Sequence, residues 1–233
     1  MKFVNGEPVL QDFYVFSYGG CGSTVVSEWL SNWGRVYHLH DPSPPSSLTR
    51  GSTYAYESGA PDVRMDTQAS LVTPEHSKVI YMYRDPVESM LSRPSWGHCC
   101  NIGGDWKKMK EWAETLPSNV SPDGLRKDYV DAWARHVAST GIKYMNYEEH
   151  FDAWTQTMTS YPIFFLNYKY LWDKKMQLLL ASFLEIQQAS VSIFPEKKET
   201  KKKLDAQTMR KLYEMYQPLN TKLSSFTEWF TSG

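Results

Sequence analysis

FYVFSYGGCGST, residues 13–24, is an apolar run that passes into three glycines and opens, after Ser23 and Thr24, onto residues with helical spacing. Val25, Val26, Trp29, Leu30 and Trp33 fall on one face of that helix. A strand, a glycine-rich turn and a helix in succession predict a βαβ unit and a parallel sheet. Three further short apolar runs, residues 36–40, 79–83 and 163–166, read as strands whose near-continuous hydrophobicity suits burial on both faces. Helical patterns cover residues 105–116, 122–139, 147–157, 171–184 and 205–230. The expected fold class is therefore α/β, a parallel central sheet flanked by helices. Residues 105–158 form a helical insertion, a cap, between the third strand and the strand at residue 163. Residues 41–70, rich in Pro, Ser, Gly and Tyr, are too long for an ordinary connection and are expected to face substrate.

The length of 233 residues suits one core, so a single domain over residues 1–233 is expected. Lys plus Arg number 25 and Asp plus Glu 26, a net charge of -1, which supplies no broad cationic surface for nucleic acid or anionic membrane. Any anion must meet a local site. Cys21, Cys99 and Cys100 have no zinc-ligand spacing, and the adjacent pair does not readily bridge, which points to a reducing compartment. The first twelve residues, MKFVNGEPVLQD, lack a signal-peptide core, and no apolar run reaches the length of a membrane span. A cytoplasmic location is the expectation.

The backbone N–H groups of a glycine-rich turn that opens a helix can converge on a phosphate, helped by the helix dipole and by hydroxyls. Gly19, Gly20, Cys21, Gly22, Ser23 and Thr24 supply such a turn. A nucleoside-triphosphatase loop would carry a lysine just before the Ser/Thr, and Gly22 stands there instead. A second strand and helix start, KVIYMYRDPVESMLS at residues 78–92, delivers Arg84 to another strand end. Asp85, Pro86 and Glu88 read as an N-cap, a first-turn proline and the far member of a capping box. Arg84 needs a carboxylate or phosphate partner, which Ser89 and Ser92 on one helical face can assist. The two loops could hold two ends of one nucleotide.

These segments resemble the sulfotransferases that use 3′-phosphoadenosine 5′-phosphosulfate (PAPS). In that family a strand, loop and helix bind the 5′-phosphosulfate. A later strand ends in Arg-Asn/Asp-Pro, with a Ser eight residues after the Arg, and both bind the 3′-phosphate; Arg84 and Ser92 have that spacing. Residues 164–186 look like the family's strand and helix around a Tyr-x-x-Leu core, here Tyr168 and Leu171, and residues 212–223 resemble the end of bacterial and carbohydrate-type members. The resemblance implies a sheet related to nucleotide kinases, PAPS as co-substrate and a hydroxyl acceptor on a carbohydrate or small molecule. The chain departs from the pattern at Gly20, where many members carry a lysine that contacts the bridging oxygen of the donor. Leaving-group stabilisation then falls to backbone donors, Ser23, Thr24 or a lysine elsewhere.

A base for the acceptor is offered by YHLHDP, residues 37–42, where His38 and His40 lie two apart and share one face of a strand. The stretch is similar to the family's Thr-His-Leu-Pro, which favours His38, with His40 as its rival. Two histidines and Asp41 lack further ligands for a metal, so none is expected. The charge run EKKETKKK, residues 196–203, is read first as a solvated face. Because the family supplies late lysines to the 3′-phosphate, Lys197, Lys198 and Lys201 are secondary candidates. Tyr54, Tyr56, Trp96 and Trp106 lie where they could pack on an acceptor. The alternatives are a small-molecule kinase of related fold and a nucleotide-binding protein without catalysis.

Overall fold

The computed structural model describes residues 2–4, 7–9, 11–48, 77–92, 125–143, 145–186, 194–197, 204–226 and 229. Most of the 41–70 excursion, the helix expected at 105–116, Lys198, Lys201 and the aromatics Tyr54, Tyr56, Trp96 and Trp106 lie outside these residues.

The protein is α/β. Two short strands, β1 (Lys2–Val4) and β2 (Glu7–Val9), pair antiparallel. The four expected strands are present as β3 (Gln11–Ser17), β4 (Gly34–Leu39), β5 (Ser77–Tyr83) and β6 (Ile163–Asn167). They form one parallel sheet in the order β4-β3-β5-β6. The described helices are α1 (Ser23–Leu30), α2 (Pro86–Ser92), α3 (Leu125–Thr140), α4 (Tyr147–Gln156), α5 (Lys174–Phe183) and α6 (Ala206–Ser225). A short 3-10 turn at Tyr168–Tyr170 precedes α5.

The apolar runs are strands because both faces of each are covered. Register places Tyr14, Phe16, Tyr37, Val79, Tyr81 and Phe165 on one face, where α4 packs Trp154 on Phe16 and Tyr81 with ring centroids 4.5 and 4.9 Å apart. The alternate residues Phe13, Val15, His38, Ile80 and Phe164 face the other way, toward α1 and α5; Phe164 meets Phe183 at 5.3 Å. Each fully buried large apolar side chain in these two layers contributes about 1.5–3 kcal/mol. The edge of β6 is covered in part by the carbonyl of Trp229, which accepts the Phe165 N–H at 2.8 Å. Among the described residues, no helix is long and apolar enough to cross a membrane.

The strand order positions the site. From β3 the chain runs through α1 to β4 on one side, whereas from β5 it leads toward β6 on the other. Neighbouring parallel strands whose connections diverge leave a crevice at their carboxyl ends, which is where open sheets bind ligands. β3 ends in the glycine loop and β5 ends at Arg84.

Candidate functional site

Gly19, Gly20 and Gly22 adopt left-handed φ values of +82°, +67° and +77°, a conformation that costs little only for glycine. Space makes the same demand at two of them. A Cβ at Gly20 would lie 2.3 Å from the Ser89 carbonyl oxygen, and one at Gly22 would lie 2.7 Å from the Tyr168 ring. α1 begins at Ser23 with Gly22 as N-cap, with neither a side-chain capping bond nor an acidic residue in its first turn. Its ladder starts with Val25 N–H and Val26 N–H donating to the Gly22 carbonyl at 3.0 and 3.3 Å. The Ser23 and Thr24 N–H groups therefore stand outside that ladder at the positive end of the helix. Thr24 is exposed and Cys21 is fully buried, with its thiol donating to the Gly19 carbonyl at 3.2 Å.

α2 closes on this loop from β5. The Arg84 Nη1–H donates to the Gly20 carbonyl at 3.2 Å, and the Ser92 hydroxyl donates to the same oxygen at 2.7 Å. Ser89 donates to the Gly19 carbonyl. The guanidinium lies over the Tyr168 ring, 3.7 Å from its centroid, and pairs through Nη2 with the Glu88 carboxylate at 2.9 Å. Asp85 caps α2 by accepting the Glu88 N–H at 3.0 Å, which is one half of the capping box, while the Glu88 carboxylate bonds Arg84. The Glu88 carboxylate also accepts the Tyr213 hydroxyl of α6 at 2.9 Å, and it gives Arg84 a carboxylate partner from the helix that follows its strand. An open groove of about 880 Å³ along α6 adjoins this corner at Tyr213.

Tyr18, Tyr168 and Glu88 are site residues that sequence reasoning did not single out for these contacts. The Tyr18 hydroxyl accepts the Arg84 N–H at 2.7 Å and donates to the Arg84 carbonyl, tying the loop to the end of β5. Tyr168 sits against both Gly22 and Arg84, and the Tyr-x-x-Leu spacing was its signal. Trp172 meets Tyr168 at 5.2 Å, and exposed Lys197 lies 5.7 Å from the Trp172 ring, on the Arg84 side of the site.

β4 brings both histidines to the same corner, with rings 4.9 Å apart and both buried. His38 Nε2 is 2.7 Å from the Ser23 hydroxyl, and His40 Nδ1 is 2.7 Å from the Ser17 carbonyl. Burial, reinforced by the His40 charge, lowers the His38 pKa to about 3. Above the ordinary value of 6.5 both folded and unfolded states are neutral; below it the unfolded chain takes up the proton first, so stability falls as pH falls toward 3. This group is expected to remove about 2 kcal/mol between pH 7 and pH 5, read as a shift of urea midpoints. His38→Asn should flatten that acid limb, and an identical limb in the variant would refute the assignment.

The fold and the site thus define a class, an α/β protein with a glycine loop and an arginine strand end meeting at one crevice. Comparison with protein-family models, curated proteins and solved structures finds no match for the chain.

Proposed function

We propose that the chain is a cytoplasmic PAPS-dependent sulfotransferase of the P-loop-like sulfotransferase fold that transfers a sulfuryl group to a hydroxyl of a carbohydrate or small-molecule acceptor. One observation carries this reading: Arg84 and Ser92 both touch the Gly20 carbonyl, so the two segments that the resemblance assigns to opposite ends of the donor form one site. The uncapped start of α1, with the Ser23 and Thr24 N–H groups, suits the phosphosulfate. Arg84 carries five N–H donors, more than its bonds to Gly20 and Glu88 use, and suits the 3′-phosphate together with Lys197, while Ser92 joins them when its hydroxyl hydrogen turns from the Gly20 carbonyl to the ligand. Bound there, PAPS supplies an already activated sulfuryl group, so the transfer needs neither a metal nor a covalent enzyme intermediate.

We assign the base to His40 rather than to His38. The His40 Nδ1–H donates to the Ser17 carbonyl, which makes Nε2 its basic nitrogen. It takes the acceptor's proton as the acceptor oxygen bonds to sulfur and the bridging S–O bond breaks. His38 stands behind it on Ser23. The charge on the leaving oxygen is met by the loop N–H groups with Ser23 and Thr24. A second reading, nucleotide binding without turnover, is favoured by the crowding at Gly20, which leaves no room for a loop lysine in this conformation.

Thermal-shift titration tests the proposal. 3′,5′-Bisphosphoadenosine at a hundred times its Kd should stabilise the fold by about 2.7 kcal/mol, a rise of roughly 5–10 °C for a chain of this size. Magnesium–ATP should give little response; the reverse order would point to a kinase. Absence of any bisphosphoadenosine response removes the proposal, and label transfer from PAPS across an acceptor panel separates catalysis from binding alone.

A further inference from the structure

A chain of hydrogen bonds behind the loop has its directions set by one carbonyl. The Ser17 carbonyl oxygen can only accept, so the His40 Nδ1 facing it at 2.7 Å carries a proton. The same N–H lies 3.3 Å from the Ser17 hydroxyl oxygen, which also accepts the Gly19 N–H at 3.2 Å. With those donors arriving, the Ser17 hydroxyl sends its own hydrogen onward to the Ser23 oxygen, at 3.2 Å. His38 Nε2 lies 2.7 Å from the Ser23 oxygen, which donates its hydrogen to it when His38 is the Nδ1–H tautomer. Burial keeps His38 neutral, and as the Nδ1–H tautomer it accepts from Ser23.

This arrangement conflicts with an anion on the loop. Ser23 is the first residue of α1, and with His38 in that tautomer its hydroxyl hydrogen points inward, so that it presents lone pairs rather than a donor to a ligand. Ser23 and His38 are each more than nine-tenths buried, so the cost of facing an anion with the wrong polarity is not relieved by water. If His38 Nε2 carried the proton instead, it would donate to Ser23 and leave the hydroxyl hydrogen for the anion. The side chains need not move.

We infer that His38 is a positioning residue that is the neutral Nδ1–H tautomer in the free protein and the neutral Nε2–H tautomer when an anion occupies the glycine loop, giving the Nδ1 proton to water and taking one from water at Nε2 with no net uptake, so that it turns from acceptor to donor toward Ser23 and the Ser23 hydroxyl becomes a ligand donor. The inference rests on the reading of the loop as an anion site. It gives the two histidines separate tasks: His40 faces the acceptor chemistry and His38 polarises the loop.

The test uses the full chain with ¹⁵N-labelled histidine, titrated separately with inorganic phosphate and with 3′,5′-bisphosphoadenosine. Without ligand, His38 Nε2 should resonate in the pyridine-type range and Nδ1 in the pyrrole-type range; with either ligand the two nitrogens should exchange ranges. Ser23→Ala should abolish that move, and His38→Gln, whose amide can either donate or accept, should hold bisphosphoadenosine about tenfold more tightly than His38→Ala. If bisphosphoadenosine binds wild type while Nε2 stays pyridine-type, the switch is wrong and the sulfotransferase reading stands. If phosphate moves Nε2 but bisphosphoadenosine binds no more tightly than phosphate, the switch stands and the sulfotransferase reading falls. If neither ligand binds, both fall.

Discussion

Arg84→Ala is expected to weaken 3′,5′-bisphosphoadenosine binding by about 1.5–3 kcal/mol, roughly 10- to 150-fold, because a charge-assisted hydrogen-bonded contact is lost. The side chain is well prepared for that contact. Its guanidinium is flattened on Tyr168, fixed at one end by the Gly20 carbonyl and at another by Glu88, so little rotamer freedom remains to be lost on binding. Folding stability should change less, since an ion pair that is partly exposed contributes on the order of 0–1 kcal/mol. Arg84→Lys keeps the charge but loses the planar fork and the stacking, and should fall between wild type and alanine. Calorimetric titration of the three proteins decides the matter: equal affinities would remove Arg84 from the site.

Gly20→Ala should act on the fold itself. Left-handed backbone costs a residue with a Cβ about 1–2 kcal/mol, and the overlap with the Ser89 carbonyl oxygen at 2.3 Å adds a packing cost of about 1–3 kcal/mol. A total near 2–5 kcal/mol should appear as a lower urea midpoint at unchanged slope. The atom in the way is backbone, which cannot swing aside as a side chain could. Gly20→Lys should therefore lose stability without gaining sulfuryl transfer, although it introduces the residue type found in many sulfotransferases. A Gly20→Ala midpoint equal to that of wild type would show that the loop relaxes freely and that the crowding has no consequence.

Much of this was legible before any coordinates. The strands centred on Val15, Tyr37, Tyr81 and Phe165 announce themselves because a strand buried on both faces must be apolar at successive positions. Asp85, Pro86 and Glu88 mark the start of α2 because capping is a matter of a few neighbouring residues. The hairpin of β1 and β2 went unread, though Asn5-Gly6 between two short runs is a strong local turn signal. The pairing of Arg84 with Glu88 is absent from the sequence reading, which gives Glu88 only its capping role and leaves open the carboxylate or phosphate partner that Arg84 needs.

The sequence by itself determined the element types, the α/β class and the glycine turn, since each depends on side-chain periodicity and backbone freedom within a few residues. Tertiary structure alone decided that Arg84 and Ser92 meet Gly20, that Tyr168 lies beneath the guanidinium and that His38 turns to Ser23. Those partners are 15 to 84 positions apart in the chain. They meet because the order β4-β3-β5-β6 and its parallel register bring separate strand ends to one edge, and local composition does not encode that order.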